Sequence, residues 1–78
     1  KHRSISLNEG THTFAIEIAT ESGELNLSIT GQDGTVYYRG SKLSTSTFEV
    51  QVDLAAKEKV TLRVEARGHS GGYKIKWT

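Results

Sequence analysis

The chain has 78 residues, and its 10 lysines and arginines nearly balance 9 acidic residues, which leaves a formal net charge of +1. This length suits one small domain near the lower limit for a single hydrophobic core, and the near-neutral charge excludes a general attraction to nucleic acid. The chain has no cysteine, which excludes disulfides and thiolate metal sites. No apolar run approaches the roughly 18–20 residues of a membrane span. We expect a single domain over residues 1–78, with no nucleic-acid partner and no transmembrane segment.

Apolar residues recur at every second position through most of the chain, which is typical of half-buried antiparallel strands. In chain order the pattern predicts seven strands, over residues 4–7, 11–20, 24–30, 35–39, 47–54, 59–67 and 73–78. Turn-forming residues separate them at 8–10, 22–23, 31–34 and 68–72, and 40–46 is predicted to be a crossover loop. Seven short strands favour an all-β fold, a seven-stranded antiparallel two-sheet β-sandwich of the jelly-roll or immunoglobulin-like kind.

The alternation also predicts which side chains point into the core. Trp77, in phase with Tyr73 and Ile75, should pack between the sheets although it is next to last in the chain. Tyr37 is out of phase and is expected to be exposed next to Arg39. The full inward set is Ile5, Leu7, Phe14, Ile16, Ile18, Leu25, Leu27, Ile29, Val36, Tyr38, Phe48, Val50, Val52, Leu54, Val60, Leu62, Val64, Tyr73, Ile75 and Trp77.

Four segments together resemble a known family. They are Gly-Thr-His-Thr-Phe at 10–14, Ser-Gly-Glu-Leu-Asn-Leu-Ser-Ile at 22–29, Gln-Asp-Gly-Thr-Val-Tyr at 32–37, and a closing pair at 60–66 and 72–75. This order is similar to the bacterial pre-peptidase C-terminal domain and to related small β-sandwich lipoprotein modules of Gram-positive bacteria. The resemblance implies a jelly-roll-like module that accompanies secreted hydrolases and surface proteins, without catalysis of its own and outside the cytoplasm.

The spacing of acidic, histidine and serine residues along the sequence gives little support for a metal site or a catalytic site. The resemblance implies calcium binding in some relatives through an Asp-Leu-Asp-Leu strand, where this chain has Glu24-Leu25-Asn26-Leu27 and so loses one of two carboxylates. The only weak metal candidates are Glu24, Asn26 and Asp33, and we expect no metal and no cofactor.

The three histidines are not spaced in sequence as the ligands of a metal site are. Gly68–Gly72 surrounds His69 and Ser70 with glycine, but neighbouring residues on a hairpin cannot form an oriented relay, so we expect no enzyme.

Arg63, Arg67, Lys74 and Lys76 form the basic set that is most suggestive of a ligand. If the last two strands pair as a hairpin, all four project from the outer face of one sheet and could meet an anionic polymer. Cross-strand pairing with Glu65, Glu49 and Asp53 is the simpler explanation. Tyr37 could stack on a sugar ring, or be an isolated surface tyrosine.

Three functions remain open at this stage. The first is a monomeric, non-catalytic accessory module of a secreted or cell-envelope bacterial protein, where an adjoining protein domain would be its partner. The second is a module that binds carbohydrate or an anionic cell-wall polymer through Tyr37 and the basic set. The third is a protein-interaction domain that accepts a strand at an open sheet edge.

Overall fold

The computed structural model describes all residues from 1 to 78 and confirms an all-β, antiparallel fold with no helix. Its five strands are β1 (His2–Leu7), β2 (Gly10–Thr30), β3 (Val36–Gly40), β4 (Ser46–Leu54) and β5 (Glu58–Trp77). The structure therefore offers no helix of the length and hydropathy that a membrane crossing requires.

The count of seven separate strands is not what the structure shows, because two expected turns are bends within long strands. β2 runs through Ser22-Gly23, and β5 runs through the glycine-rich segment at 68–72. A straight strand of 21 residues would be about 70 Å long, whereas the longest dimension of the molecule is 39 Å. Both strands must bend, and Gly23, Gly68 and Gly71 have positive φ angles where they do so.

The bends divide the single sheet into two parts with different neighbours. Residues 10–18 of β2 pair with β4 on one side, and residues 14–20 pair with residues 71–77 of β5 on the other; we call this the three-stranded part. Residues 24–30 of β2 pair with residues 61–67 of β5, and residues 27–30 also pair with β3. β1 pairs with residues 58–63 of β5. This second group is the four-stranded part.

One cluster of twelve buried apolar side chains unites the two parts, and every member belongs to the predicted inward set. Ile16, Ile18 and Ile75 of the three-stranded part line the same narrow gap as Leu25 and Leu27 of the four-stranded part. No polar or charged side chain is buried. The twelve are Leu7, Phe14, Ile16, Ile18, Leu25, Leu27, Ile29, Val52, Leu54, Val60, Leu62 and Val64.

The burial of three aromatic and apolar residues differs from the prediction. Ile29 pairs with Tyr38 and Thr30 pairs with Val36, so Tyr37 is the extra residue of a β-bulge. The bulge reverses the phase: Val36 is 49% exposed, and Tyr37 is half-buried against the core. Tyr73 is 43% exposed because its part of β5 pairs only with β2. Trp77 is half-buried and packs on Phe14, with ring centroids 6.1 Å apart.

Candidate functional site

The four cations of the basic set do not share one face, because the hairpin expected for the last two strands does not exist. Arg63 and Arg67 lie in the four-stranded part, where their β2 partners are Ser28 and Glu24. Lys74 and Lys76 lie beyond the bend in the three-stranded part. All four side chains are exposed, but they form two pairs on separate surfaces.

Two of these cations have an acidic neighbour in the sheet register. Arg67 is the Cα partner of Glu24, and Lys74 is the partner of Glu17. Side chains opposite each other on antiparallel strands lie close enough for opposite charges to interact. The field of Arg67 and Lys74 is therefore partly neutralised by the sheet itself.

Arg63 instead lies near a second arginine. Ser28 is the Cα partner of Arg63 on one side and of Arg39 on the other, so the two arginines flank one serine across three strands. Strands are about 4.8 Å apart, which puts the two arginine Cα positions about 10 Å apart. Asn26 and Glu65 complete a shallow cleft of about 210 Å³, which we call the arginine cleft.

Some of the other polar groups of this surface already have partners. The Asn26 side-chain oxygen accepts a hydrogen bond from the backbone N–H of Lys42 at 2.8 Å. Ser4 and Thr61 bond to each other through their hydroxyls at 3.3 Å. Neither arginine takes part in these bonds. An anion that enters the arginine cleft would meet guanidinium donors, the strongest hydrogen-bonding groups a protein offers to carboxylate or phosphate.

Tyr37, the predicted stacking residue, is held by an internal contact. Its hydroxyl donates to Glu58 Oε1 at 2.6 Å. This bond, together with burial and the charges of Glu58 and Asp33, raises the pKa of Tyr37 to about 12. The ring also packs against the core. The expectation of an exposed ring beside Arg39 is therefore wrong.

The three weak metal candidates do not converge. Glu24 and Asn26 lie near the start of the four-stranded part of β2, whereas Asp33 follows the end of β2 at Thr30. Six residues of strand separate Glu24 from Thr30, or about 20 Å. Asp33 accepts bonds from the hydroxyl and the N–H of Thr35, at 2.7 and 3.0 Å, and these lower its pKa. No group of three acidic or histidine side chains suited to a metal occurs.

The Ser and His residues of the glycine-rich bend bond to different partners. His69 Nε2 lies 3.0 Å from Thr20 Oγ1, whose own proton goes to the backbone carbonyl of Leu43 at 2.9 Å. Ser70 donates to Glu21 Oε2 at 3.2 Å. These bonds tie β2 to β5 at the bend. They do not join a serine to a histidine as nucleophilic catalysis would require.

A second concave surface lies between the open edge of β5 and β1. Leu62 and Val64 form its floor, and Tyr73, Ile75 and Trp77 form one wall. Residues 1–3 form the opposite rim, and the cavity measures about 270 Å³. The guanidinium of Arg3 lies 5.2 Å from the centre of the Trp77 ring, within the range of a cation–π contact. We call this surface the edge groove.

Sequence reasoning missed Arg3 and Arg39 as site residues. Arg3 is in phase with Ile5 and Leu7, so the period-two pattern already indicated that it points inward. Arg39 follows the hairpin at Asp33-Gly34, but its nearness to Arg63 depends on β2 lying between β3 and β5. No local signal contains that order.

Neither the models of known protein families nor the curated proteins contain a match to this chain. The resemblance drawn from its glycine and alternation motifs therefore remains a prediction.

Proposed function

We propose that the chain is a non-catalytic β-sandwich module that binds an anionic polymer through the arginine cleft. The two layers of the sandwich would be the three-stranded and four-stranded parts, folded toward each other at the bends of β2 and β5. Residues of both parts line one internal gap, which supports this arrangement. Folding a sheet onto itself buries one of its faces without a covering helix.

A non-catalytic role is supported by the environment of the titratable groups. The buried set contains no polar or charged side chain, so no acid or base lies in the water-excluded surroundings that tune catalytic groups. Asp33 and Tyr37 have shifted pKa values, and hydrogen bonds to Thr35 and Glu58 are the largest cause of each shift. The Asp33–Thr35 bonds lie within one turn, and the Tyr37–Glu58 bond joins β3 to β5.

The observation that carries the ligand proposal is the placement of Arg39 and Arg63 on either side of Ser28. Two exposed arginines whose Cα positions lie about 10 Å apart across the strands suit an extended chain of repeating anions better than a single small ion. A carboxylate of an acidic polysaccharide and a phosphate of a wall teichoic acid would meet the same donors. Binding should weaken with salt, because exposed charges are screened beyond about 8 Å at physiological ionic strength.

The resemblance supports a place on a secreted or cell-envelope bacterial protein, attached to an adjoining domain. Proteolysis of whole cells of the producing bacterium, followed by immunoblotting, would check this location. A chain outside the cytoplasmic membrane should be cleaved in intact or wall-stripped cells. A chain that is cut only after lysis would contradict the location without affecting the ligand proposal.

Retention of the protein on immobilised polygalacturonate and on purified wall teichoic acid tests the ligand and separates the two anion types. The double variant Arg39→Gln, Arg63→Gln should bind about tenfold more weakly, as expected for two exposed charged contacts. The matched control, Lys74→Gln with Lys76→Gln, removes the same charge from the other surface and should bind like the parent. Equal losses of affinity in the two double variants would show that binding depends only on net charge, and would overturn the proposed site.

A further inference from the structure

The open edge of β5 in the three-stranded part has backbone groups without a neighbouring strand. The N–H of Thr78 donates to the carbonyl of Thr13 at 3.2 Å, which identifies this pair as hydrogen-bonded. Hydrogen-bonded pairs alternate along an antiparallel ladder. The backbone groups of Lys74 and Lys76 therefore point to β2, and those of Tyr73, Ile75 and Trp77 point away from it.

None of the five strands pairs with those outward groups. β1, on the same side of β5, pairs with it only in the four-stranded part, where His2 is the partner of Arg63. Beyond that pairing, the Val64 N–H donates to the Lys1 carbonyl and the Lys1 amino group donates to the Val64 carbonyl, and no further backbone bond follows on this side. The edge at residues 73–77 is thus a row of free donors and acceptors, which is a template for another strand.

The side chains of this edge line the edge groove, which has room for the side chains of an added strand. Ile75 and Trp77 are half-buried and Tyr73 is exposed, and all three line the edge groove above Leu62 and Val64. An added strand would send alternate side chains into this groove. It would also give the three-stranded part a fourth strand, so that the two parts would have the same number of strands. The groove therefore lies where the inward side chains of a missing strand would pack.

The positive charges around the edge groove favour an acidic strand over a second copy of the same edge. Lys74 and Lys76 flank the edge on its outer face, and Lys1 and Arg3 lie on the opposite rim. Pairing of this edge with the same edge of a second copy would bring two pairs of lysines together, and like charges opposite each other destabilise a sheet. A strand with acidic residues at its outward positions would instead face cations.

We propose that the β5 edge from Tyr73 to Trp77 accepts an extended acidic strand of another protein. Apolar residues at alternate positions of this strand fill the edge groove, and Asp or Glu residues between them lie beside Lys74 and Lys76. Main-chain hydrogen bonds to Tyr73, Ile75 and Trp77 supply the register, and the groove and lysines supply the specificity. This interaction uses a different surface from the arginine cleft and does not depend on it.

The test uses a capped synthetic peptide of seven residues in which Val and Glu alternate. Nuclear magnetic resonance follows hydrogen exchange at the amides of Tyr73, Ile75 and Trp77, which should slow at least tenfold when the peptide is added. A peptide of the same composition with its Val and Glu residues in two blocks, and one with Lys in place of Glu, should leave exchange unchanged. Equal protection by the block or the lysine peptide would overturn the proposal, as would no protection by the alternating one.

Proline variants test the edge itself. Ile75→Pro removes an N–H that points away from β2, so the internal ladder keeps its bonds while strand addition is blocked. We expect peptide affinity to fall at least tenfold. The matched control is Gln51→Pro on β4, whose N–H also points away from β2 by the same alternation, and its affinity should stay within twofold of the parent's. Parent-like affinity in a folded Ile75→Pro variant would overturn the proposal.

Two further results decide the occupant and the independence of the site. Sedimentation of the peptide-free protein should show a monomer. A dimer in which the Tyr73 and Ile75 amides are protected from exchange would show that the occupant of this edge is a second copy of the chain, and would overturn the acidic strand. The exchange measurement needs no variant, so it decides the proposal even if Ile75→Pro fails to fold. The Arg39→Gln, Arg63→Gln protein should bind the peptide normally, and a parallel loss of peptide and polymer binding would contradict two separate sites.

Discussion

Gly23 is, with Gly71, one of two positive-φ positions at which a single added methyl group would collide with the backbone of the neighbouring strand. Its φ angle is +80°, and a Cβ atom there would collide with the backbone carbonyl of Gly68 on the neighbouring strand. Gly23→Ala therefore carries two costs. The left-handed backbone costs about 1–2 kcal/mol for a residue with a Cβ. The collision with backbone, which has no flexible end to move aside, forces β2 and β5 apart at their bend.

Alanine substitutions at two other glycines allow the backbone strain to be measured separately from the collision. Gly34 has a φ of +90° but open space around its Cβ position, so Gly34→Ala should lose only the about 1–2 kcal/mol of backbone strain. Gly72 has open space and no positive φ. Gly72→Ala should change stability by less than about 1 kcal/mol, with a gain expected from the stiffer unfolded chain. For Gly23→Ala we expect a loss of about 2–4 kcal/mol, since one or two cross-strand hydrogen bonds of about 1 kcal/mol each are lost in addition to the backbone strain.

Urea unfolding followed by the fluorescence of the single tryptophan measures all three variants. Equal slopes with shifted midpoints would show that stability alone has changed. In thermal melts each kcal/mol should lower the midpoint by about 4–8 °C in a domain of this size. A Gly23→Ala variant no less stable than Gly34→Ala would refute the close approach of β2 and β5, and with it the bend that joins the two parts of the sheet.

Three further outcomes are expected. Trp77→Ala should lose about 2 kcal/mol in urea unfolding followed by circular dichroism, less than a fully buried tryptophan, because the ring is half-buried and contacts Phe14 and Arg3. An unchanged midpoint would contradict this packing. Tyr37→Phe should remove a pH dependence: with the pKa of Tyr37 raised from 10.0 to about 12, the stability from its neutral hydroxyl is complete below pH 10.0 and is lost as the pH rises through about 12. Parent and variant that lose stability in parallel over that range would refute it. Unfolding midpoints in EDTA and in millimolar Ca²⁺ should coincide, since no metal cluster exists, and a large rise with Ca²⁺ would reveal a site.

Much of the core was predictable from alternation alone. All twelve buried apolar residues belong to the predicted inward set, because the side-chain period of a strand is two whatever its partners are. The errors at Val36 and Tyr37 arise from one bulge, whose position depends on how β3 pairs with β2. A one-residue shift of phase reverses which side chain faces the core.

The sequence by itself determined the all-β class, the inward side chains and the places where the chain departs from a straight strand. Glycine permits positive φ equally at a reversal and at a bend, so composition could not show that Gly23 and Gly68 continue their strands instead of ending them. Only the long-range pairing of β2 with β5 decided this, and it separated Arg63 from Lys74 and placed Arg63 near Arg39. Local propensity acts over a few neighbours, whereas a cleft depends on which distant strands become adjacent.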